Sequence, residues 1–236
     1  MAGDGGDTVT ECTICGGVGW LRTGDGSPAV PCRCTLARQA EERARALREA
    51  SGVSPALFDR MTFTAYRPEA AIRPGCDMAE VKRVCEAYAA SPHGWLVLSG
   101  GYGAGKTHLA YAIAGELLKR AVPVYAASVP EMLGMIRGGF SDAQGMDAEA
   151  RLKAIRAVDV LVLDDWGTER TTDWASEQLF TVLNSRYNDR AATVITTNLT
   201  PAELGKRDGR LASRMLDVDV SRVIVLAAGD YRQRRG

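Results

Sequence analysis

Short apolar runs alternate with amphipathic stretches from residue 94 onward. Apolar runs bounded by turn residues are typical of strands buried in a parallel sheet, and the longer stretches between them are typical of helices. The predicted strands are 95–98, 122–125, 158–163, 193–196 and 223–226, and the predicted helices are 105–120, 129–137, 147–156, 173–190 and 201–216. This alternation predicts an α/β domain in which helices cover both faces of a five-stranded parallel sheet.

The residues before this domain follow a different pattern. Residues 36–50 contain only helix formers and several arginines, which predicts a helix on the surface. Apolar residues recur at helical spacing from Val81 to Tyr88, which predicts a helix over about residues 77–90. We therefore divide the chain into a cysteine-bearing head with an Arg-rich helix (1–50), a linker with a leading helix (51–93) and the α/β domain (94–236).

Composition and charge exclude several classes of protein. Of the 236 residues, 46% are hydrophobic and 25% are charged, as in an ordinary globular protein. Lys+Arg and Asp+Glu both total 29, and this balance argues against a protein that coats nucleic acid, although a local basic face remains possible. No apolar run approaches the roughly 18 residues of a membrane span, and the acidic, polar N-terminus is unlike a signal peptide. We expect a cytoplasmic protein without a membrane partner.

Four cysteines form two close pairs near the N-terminus. Cys12 is paired with Cys15 and Cys32 with Cys34, and a turn-rich stretch at residues 24–28 predicts a hairpin between the pairs. In a reducing compartment, clustered thiols are typical of metal ligands rather than disulfides. Two such pairs can deliver four thiolates to a tetrahedral Zn²⁺ ion. The alternative is four free thiols in a disordered tail. The second pair is Cys-x-Cys rather than the commoner Cys-x2-Cys, which makes the spacing less typical of a zinc site.

A phosphate-binding motif follows the first predicted strand of the α/β domain. The sequence from Gly100 to Thr107 satisfies G-x4-G-K-[ST] and lies between a predicted strand and a predicted helix. In this motif the backbone N–H groups surround phosphate oxygens, the lysine reaches the β- and γ-phosphates, and the hydroxyl binds Mg²⁺. The residues predicted to bind ATP here are Gly100, Gly101, Tyr102, Gly103, Ala104, Gly105, Lys106, Thr107 and His108.

Acidic and amide side chains follow two later strands. Asp164 and Asp165 come directly after the apolar run 158–163, and Asn198 ends the next run. Asp164 is predicted to bind Mg²⁺ together with Thr107, and Asp165 is predicted to orient and deprotonate the attacking water. Asn198 is predicted to form a hydrogen bond to the γ-phosphate or to that water.

Together these motifs resemble the DnaC/DnaI/IstB branch of the AAA+ ATPases, over about residues 55–236. The similar strings are LSGGYGAGKTHLA at 98–110, DVLVLDDWG at 159–167, TTNL at 196–199, LASRM at 211–215 and DYR at 230–232. The resemblance implies a P-loop ATPase core with strand order 5-1-4-3-2 and without a C-terminal lid domain.

The resemblance also implies roles for single residues. Asn198 matches sensor 1, Arg232 matches sensor 2, and Arg214 matches the arginine finger that acts on the nucleotide of a neighbouring subunit. Arg210, one helical turn before Arg214, is predicted to contact nucleotide as well. Many AAA+ enzymes have Glu at the position of Asp165, so the shorter acid leaves the hydrolysis rate open.

The function implied by the resemblance is ATP-dependent loading of a replicative DNA helicase onto single-stranded DNA by subunits that assemble into a ring or spiral. The cysteine head resembles that of DnaI-type and phage loaders and is expected to bind the helicase. Single-stranded DNA is expected to contact Phe140, Thr172 and Trp174, although Phe140 and Trp174 could equally anchor their loops. Two alternatives remain open: an IstB-type transposition ATPase, which usually lacks such a head, and a nucleotide-sensing adaptor with negligible hydrolysis.

Overall fold

The computed structural model describes residues 12–22, 28–39, 42, 55–67, 77–137, 148–169 and 172–227. In the head, strands β1 (Trp20–Leu21) and β2 (Val30–Pro31) form the predicted hairpin as an antiparallel pair, although residues 23–27 of its turn lie outside the described residues. A helix α1 follows, with residues 33–39 and 42 described, so it begins three residues before the predicted position.

Five parallel strands form the central sheet, which confirms the predicted α/β fold. The strands are β3 (Trp95–Gly100), β4 (Val124–Ser128), β5 (Val160–Trp166), β6 (Thr193–Thr197) and β7 (Ser221–Leu226). Their order in the sheet is β4-β5-β6-β3-β7, which reads 5-1-4-3-2 from the other edge when these strands alone are counted from the N-terminus. The carboxyl ends of β3, β5 and β6 therefore lie side by side. The expectation that no lid domain follows the sheet stays a prediction.

Helices cover both faces of this sheet. They are α2 (Pro55–Arg60), α3 (Met78–Ala90), α4 (Lys106–Lys119), α5 (Val129–Arg137), α6 (Ala148–Ala157), α7 (Asp173–Asn188), α8 (Pro201–Arg207) and α9 (Gly209–Met215). Leu96 and Leu98 of β3 pack into one apolar cluster with α2–α4, whereas Trp95 and Val97 pack into a second cluster with α5–α9. This alternation is the period of a strand buried on both faces. None of the described helices is both long and apolar enough to span a membrane.

Several predicted elements differ from the observed ones at their boundaries; the strand predicted at 122–125, for example, is β4 at Val124–Ser128. Two further differences concern elements that carry site residues. The predicted helix 201–216 is divided into α8 and α9 at Asp208, whose carboxylate accepts hydrogen bonds from the N–H groups of Arg210 and Leu211. An aspartate that caps a new helix in this way competes with continuation of the preceding one. The strand predicted to end at residue 163 continues to Trp166, with an irregular register after Leu163. Asp164 and Asp165 thus lie within β5 and not after it.

The segment predicted as a linker contributes to the core. The ring of Phe58 on α2 lies 6.5 Å from the ring of Tyr111 on α4 in an edge-to-face arrangement. Tyr66, in the turn after α2, is also buried in the first apolar cluster. These contacts fix the chain between α2 and residue 67 beside the start of α4, which places it next to the phosphate-binding motif.

A fully buried arginine binds the amino-terminal ends of two strands, on the side of the sheet opposite the nucleotide motif. Arg186 of α7 is 0% exposed. Its guanidinium donates to the hydroxyl of Thr193 and to four backbone carbonyls, those of Arg156, Val158, Asp159 and Ala192, at 2.6–3.3 Å. Burial lowers the pKa of Arg186 to about 10, so the group stays charged at neutral pH. This cation joins α6, α7 and the starts of β5 and β6.

Candidate nucleotide-binding site

The predicted phosphate loop connects β3 to α4, as its motif requires. Gly100 and Gly105 have positive φ angles of 151° and 89°. A Cβ atom at Gly100 would lie 2.4 Å from the carbonyl oxygen of Leu226, and one at Gly105 would lie 2.8 Å from the ring of Tyr66. Glycine is therefore required at both positions by backbone conformation and by close approach.

The ammonium group of Lys106 lies at the centre of this loop and is almost completely buried. It donates to the carbonyls of Gly100 and Gly101 at 2.8 and 2.7 Å, and to Oδ1 of Asn198 at 2.8 Å. The predicted sensor amide at the end of β6 and the predicted phosphate-binding lysine are thus in direct contact. Lys106 can exchange these bonds for bonds to phosphate oxygens, and the Nδ2 group of Asn198 can donate to a phosphate oxygen as well.

The predicted Mg²⁺ ligands also meet. The Thr107 hydroxyl donates to Oδ1 of Asp164 at 3.0 Å, and the Thr196 hydroxyl donates to the same oxygen at 2.5 Å. Burial raises the pKa of Asp164, and the hydrogen bond from Thr196 opposes that rise. A carboxylate and a hydroxyl are the oxygen donors that Mg²⁺ prefers, so this donor set fits the ion.

Asp165 occupies an unusual backbone conformation beside this pair. Its φ angle is 56°, in the left-handed region, at the irregularity of β5. Its N–H donates to the Thr196 hydroxyl at 2.9 Å, and its carbonyl accepts from the Thr168 hydroxyl at 2.8 Å. The conformation turns the Asp165 side chain toward the cavity described next, of which it is a lining residue.

A cavity of about 520 Å³ opens over the loop. Its lining includes the phosphate loop, Asp165 and Asn198, and also Arg60 at the end of α2 and Tyr66 and Arg67 from the chain after it. His108, at the start of α4, connects the phosphate loop to the chain after α2, because its Nε2 lies 2.8 Å from the carbonyl oxygen of Thr62.

The part of the cavity lining that comes from the chain after α2 was not predicted from the sequence. Its only local signal is a few aromatic and basic residues in a segment without periodicity, and nothing in the segment indicates its contact with residues some forty positions later.

The two arginines of α9 that were predicted to contact nucleotide, Arg210 and Arg214, lie outside this cavity. Arg210 is exposed and pairs with Asp208 at 3.4 Å, and neither it nor Arg214 lines the cavity of its own chain. Arg214 donates to Asn184 of α7. Arg232 lies outside the described residues.

The predicted DNA contacts are placed only in part. The Thr172 hydroxyl accepts from the N–H of Ala175 at 3.2 Å and so caps α7. Trp174 is partly buried, and the guanidinium of Arg137 lies 4.4 Å from the centre of its ring. Phe140 lies outside the described residues.

The four head cysteines converge as predicted. Their sulfurs all lie within 4.8 Å of one another, with 3.8 Å between Cys12 and Cys32 and 3.5 Å between Cys15 and Cys34. A tetrahedron with metal–sulfur bonds of about 2.3 Å has edges of about 3.8 Å, so the spacing fits a Zn²⁺ site. The N–H groups of Cys15 and Ile14 lower the pKa of the Cys12 thiol to about 6, which favours the thiolate that binds metal.

Comparison with known proteins agrees with this geometry. Over 143 residues the chain is 30% identical to the replicative helicase loader DnaI of Bacillus subtilis, a match that covers 56% of this chain and 44% of DnaI. Over 184 residues it is 25% identical to the replicative helicase loader DnaC of Escherichia coli K12, covering 78% of this chain and 74% of DnaC. Matches to B. subtilis proteins cover only 44–52% of the length of those relatives.

The fold and the family agree as well. The crystal structure of the DnaC helicase loader has a similar fold, with a TM-score of 0.60 and 22% identity over 73% of this chain and 99% of that one. The family described as IstB-like ATP binding protein matches residues 41–235, most of the chain. The chain therefore belongs to the IstB-like ATP-binding protein family, which confirms the resemblance of its motifs to AAA+ ATPases of the DnaC/DnaI/IstB type.

Proposed function

We propose that the chain binds ATP with Mg²⁺ in this cavity and hydrolyses it. Lys106 exchanges the loop carbonyls for the β- and γ-phosphate oxygens. Thr107 and Asp164 hold Mg²⁺, which neutralises phosphate charge when it is bound. Asp165 accepts the proton of the attacking water, and Asn198 binds the γ-phosphate or that water. The observation that carries this assignment is the hydrogen-bonded convergence of Lys106 with Asn198 and of Thr107 with Asp164.

The proposed ATPase works between subunits. Arg214 is absent from the lining of its own cavity, as expected of an arginine finger that acts on the nucleotide of a second copy. Assembly into a ring or spiral would bring Arg214 to that site. Arg210 and Arg232 are proposed to contribute further contacts to nucleotide.

The head is proposed to hold Zn²⁺ through Cys12, Cys15, Cys32 and Cys34. Thiolates in this arrangement would fix the β1–β2 hairpin and the start of α1, because a small module has little core of its own. The ion would then be structural, with all four positions filled by protein.

We further propose that the chain loads a replicative DNA helicase onto single-stranded DNA, with the head as the helicase-binding part. The support is that two relatives with this ATPase core are replicative helicase loaders by name. DNA would contact Phe140, Thr172 and Trp174. A second candidate, an ATPase that assists transposition, keeps support from the IstB-like description of the matching family.

The decisive experiment mixes the full-length chain with its cognate replicative helicase and a fluorescent oligo-dT. Capture of the oligonucleotide inside the helicase is measured with ATP and Mg²⁺, and without nucleotide. The wild-type chain should promote capture only with ATP, whereas the Lys106→Ala variant should not. Lys119→Ala is the matched control, because Lys119 lies on the same helix but is exposed and paired with Glu116.

The outcomes separate the candidates. A wild-type chain that hydrolyses ATP but neither binds the helicase nor promotes capture would refute the loader, and stimulation of its ATPase by duplex DNA would then favour the transposition ATPase. ATP-dependent capture without measurable hydrolysis would support the nucleotide-sensing adaptor instead. Loss of capture in Lys119→Ala would mean that the defect of Lys106→Ala does not report on nucleotide.

A further inference from the structure

The side chain of Arg214 is held by an uncharged residue of a neighbouring helix. Oδ1 of Asn184 on α7 accepts from Nε of Arg214 at 3.1 Å and from Nη2 at 2.6 Å. Nη1 of Arg214 donates to the carbonyl of Arg210 at 2.8 Å. Three of the five N–H groups of a guanidinium are then engaged within the chain, which leaves two for another partner.

Two aromatic rings lie beside the same guanidinium. Its carbon lies 5.0 Å from the centre of the Phe180 ring and 5.4 Å from that of the Tyr187 ring, both on α7. The hydroxyl of Tyr187 donates to Asp217, which orients that ring in turn. Cations are attracted to aromatic faces at these distances, and Arg214 is therefore restrained by two rings and one amide.

Within the part of the chain that the structure describes, Arg214 forms no ion pair. The partly buried guanidinium therefore keeps its full charge while its direction is fixed. An aspartate in place of Asn184 could accept the same two hydrogen bonds, but it would neutralise the cation with a bidentate ion pair. The amide gives orientation without that loss.

We propose that Asn184 is a positioning residue that presents Arg214, still charged, to the γ-phosphate of ATP bound by a second copy of this chain. This inference rests on the proposed function, because it requires Arg214 to act between subunits. Asn184 itself touches no nucleotide, and it acts only through Arg214. Replacing it should lower turnover without weakening the binding of ATP.

The test uses mixed assemblies of two full-length variants. Lys106→Ala subunits cannot use ATP but can donate Arg214, and Arg214→Ala subunits bind ATP but lack the finger. The ATPase of the mixture therefore measures only Arg214 acting in trans. Asn184→Asp or Asn184→Ala is then introduced into the donor subunits or, separately, into the acceptor subunits.

In donor subunits, Asn184→Ala should lower the turnover of the mixture about 100-fold, since a misplacement of about 1 Å costs about that much. Asn184→Asp in donors should lower it at least as far, because it also removes the net charge. In acceptor subunits, which have no Arg214 to hold, the same changes should cost less than about twofold, by the same argument. Asn188→Asp in donors is the matched control, because Asn188 is exposed on the same helix and its replacement by aspartate adds the same negative charge.

Equal losses in donors and acceptors would mean that Asn184 supports the fold and would overturn the inference. Full activity with Asn184→Asp in donors would also overturn it. If Lys106→Ala and Arg214→Ala subunits restore no activity in any mixture, the proposed action between subunits fails first, and the inference falls with it. Binding of a fluorescent ATP analogue, measured in parallel on Asn184→Asp, should match the wild type.

Discussion

Replacement of Arg186 by methionine should strongly destabilise the fold while leaving the nucleotide site intact. Methionine fills a similar volume but cannot donate hydrogen bonds. The carbonyl of Ala192 keeps the N–H of Leu161 as a second donor. The carbonyls of Arg156, Val158 and Asp159 each lose the bond from Arg186.

The magnitude follows from two opposing contributions. A carbonyl that loses its donor where water cannot replace it costs about 1–3 kcal/mol. The three carbonyls are only partly buried, but methionine would fill the fully buried space of the guanidinium and keep water from replacing it there. At the centre of the range they cost about 6 kcal/mol together. Against this, methionine removes a buried charge. Burial lowers the pKa of Arg186 from 12.5 to about 10, a penalty of about 3 kcal/mol at about 1.4 kcal/mol per pKa unit. The net loss in the free energy of unfolding is then about 3 kcal/mol, or a fall in Tm of about 6–12 °C for a chain of this size.

Urea unfolding of the full-length protein, followed by far-UV circular dichroism, measures this loss. Arg186→Lys should fall between the wild type and Arg186→Met, because an ammonium group has three donors for five acceptors. Arg120→Met is the matched control, since Arg120 also donates to two carbonyls, those of Ala89 and Ala90, but is exposed to water. That control should lose less than about 1 kcal/mol.

A free energy of unfolding for Arg186→Met within about 1 kcal/mol of the wild type would contradict this prediction, because that difference is no larger than for an ordinary surface substitution. The buried guanidinium would then contribute no net stability. A large loss in Arg120→Met would equally refute it, since that result would attribute the effect to any arginine that binds carbonyls and not to burial.

Three further outcomes are expected. Because burial raises the pKa of Asp164, the charge of this carboxylate opposes folding at pH values above its ordinary pKa of 3.8. Asp164→Asn should therefore raise the Tm of nucleotide-free protein at pH 8, by an amount that shrinks as the pH falls toward 3.8. The same variant should abolish the Mg²⁺-dependent part of ATP stabilisation in thermal scans. Asp165→Asn should keep ATP affinity in a filter-binding assay and slow turnover about 10²–10⁴-fold, the range for loss of a general base. Unchanged turnover would remove Asp165 as the general base and would point to positioning of the attacking water by Asn198 instead. Anaerobically purified protein should carry about one zinc ion per chain by elemental analysis, and Cys32→Ser should lose it while keeping ATP binding.

Local motifs explain why most of the site was predictable. The phosphate loop is one contiguous string, and its backbone geometry depends mainly on its own glycines. Asp164 and Asn198 are distant in sequence, but both follow apolar runs, and adjacent parallel strands bring their carboxyl ends together. The periodicity of the sequence was therefore sufficient to predict that Lys106 and Asn198 lie close together.

The parts that sequence did not predict depend on tertiary contacts. Arg186 belongs to a helix with ordinary amphipathic composition, and only the packed ends of β5 and β6 turn it into a buried cation. The contact of Asn184 with Arg214 joins residues 30 positions apart on two helices whose relative placement no local pattern encodes. Tyr66 and its neighbours similarly acquire a role only when α2 packs on α4.

The left-handed backbone of Asp165 limits which acids this position can accommodate. Short polar side chains such as Asp and Asn enter that conformation far more readily than longer ones, because they can bond to the local backbone. Glutamate, the acid that many AAA+ enzymes use here, would add a methylene and a conformational penalty at a residue whose N–H is already committed to Thr196. A change to glutamate is therefore not a simple lengthening of the proposed catalytic side chain, since the backbone conformation at the β5 irregularity disfavours the longer residue. The short acid and the irregular strand therefore depend on each other, and a longer acid at this position would require the backbone of β5 to change as well.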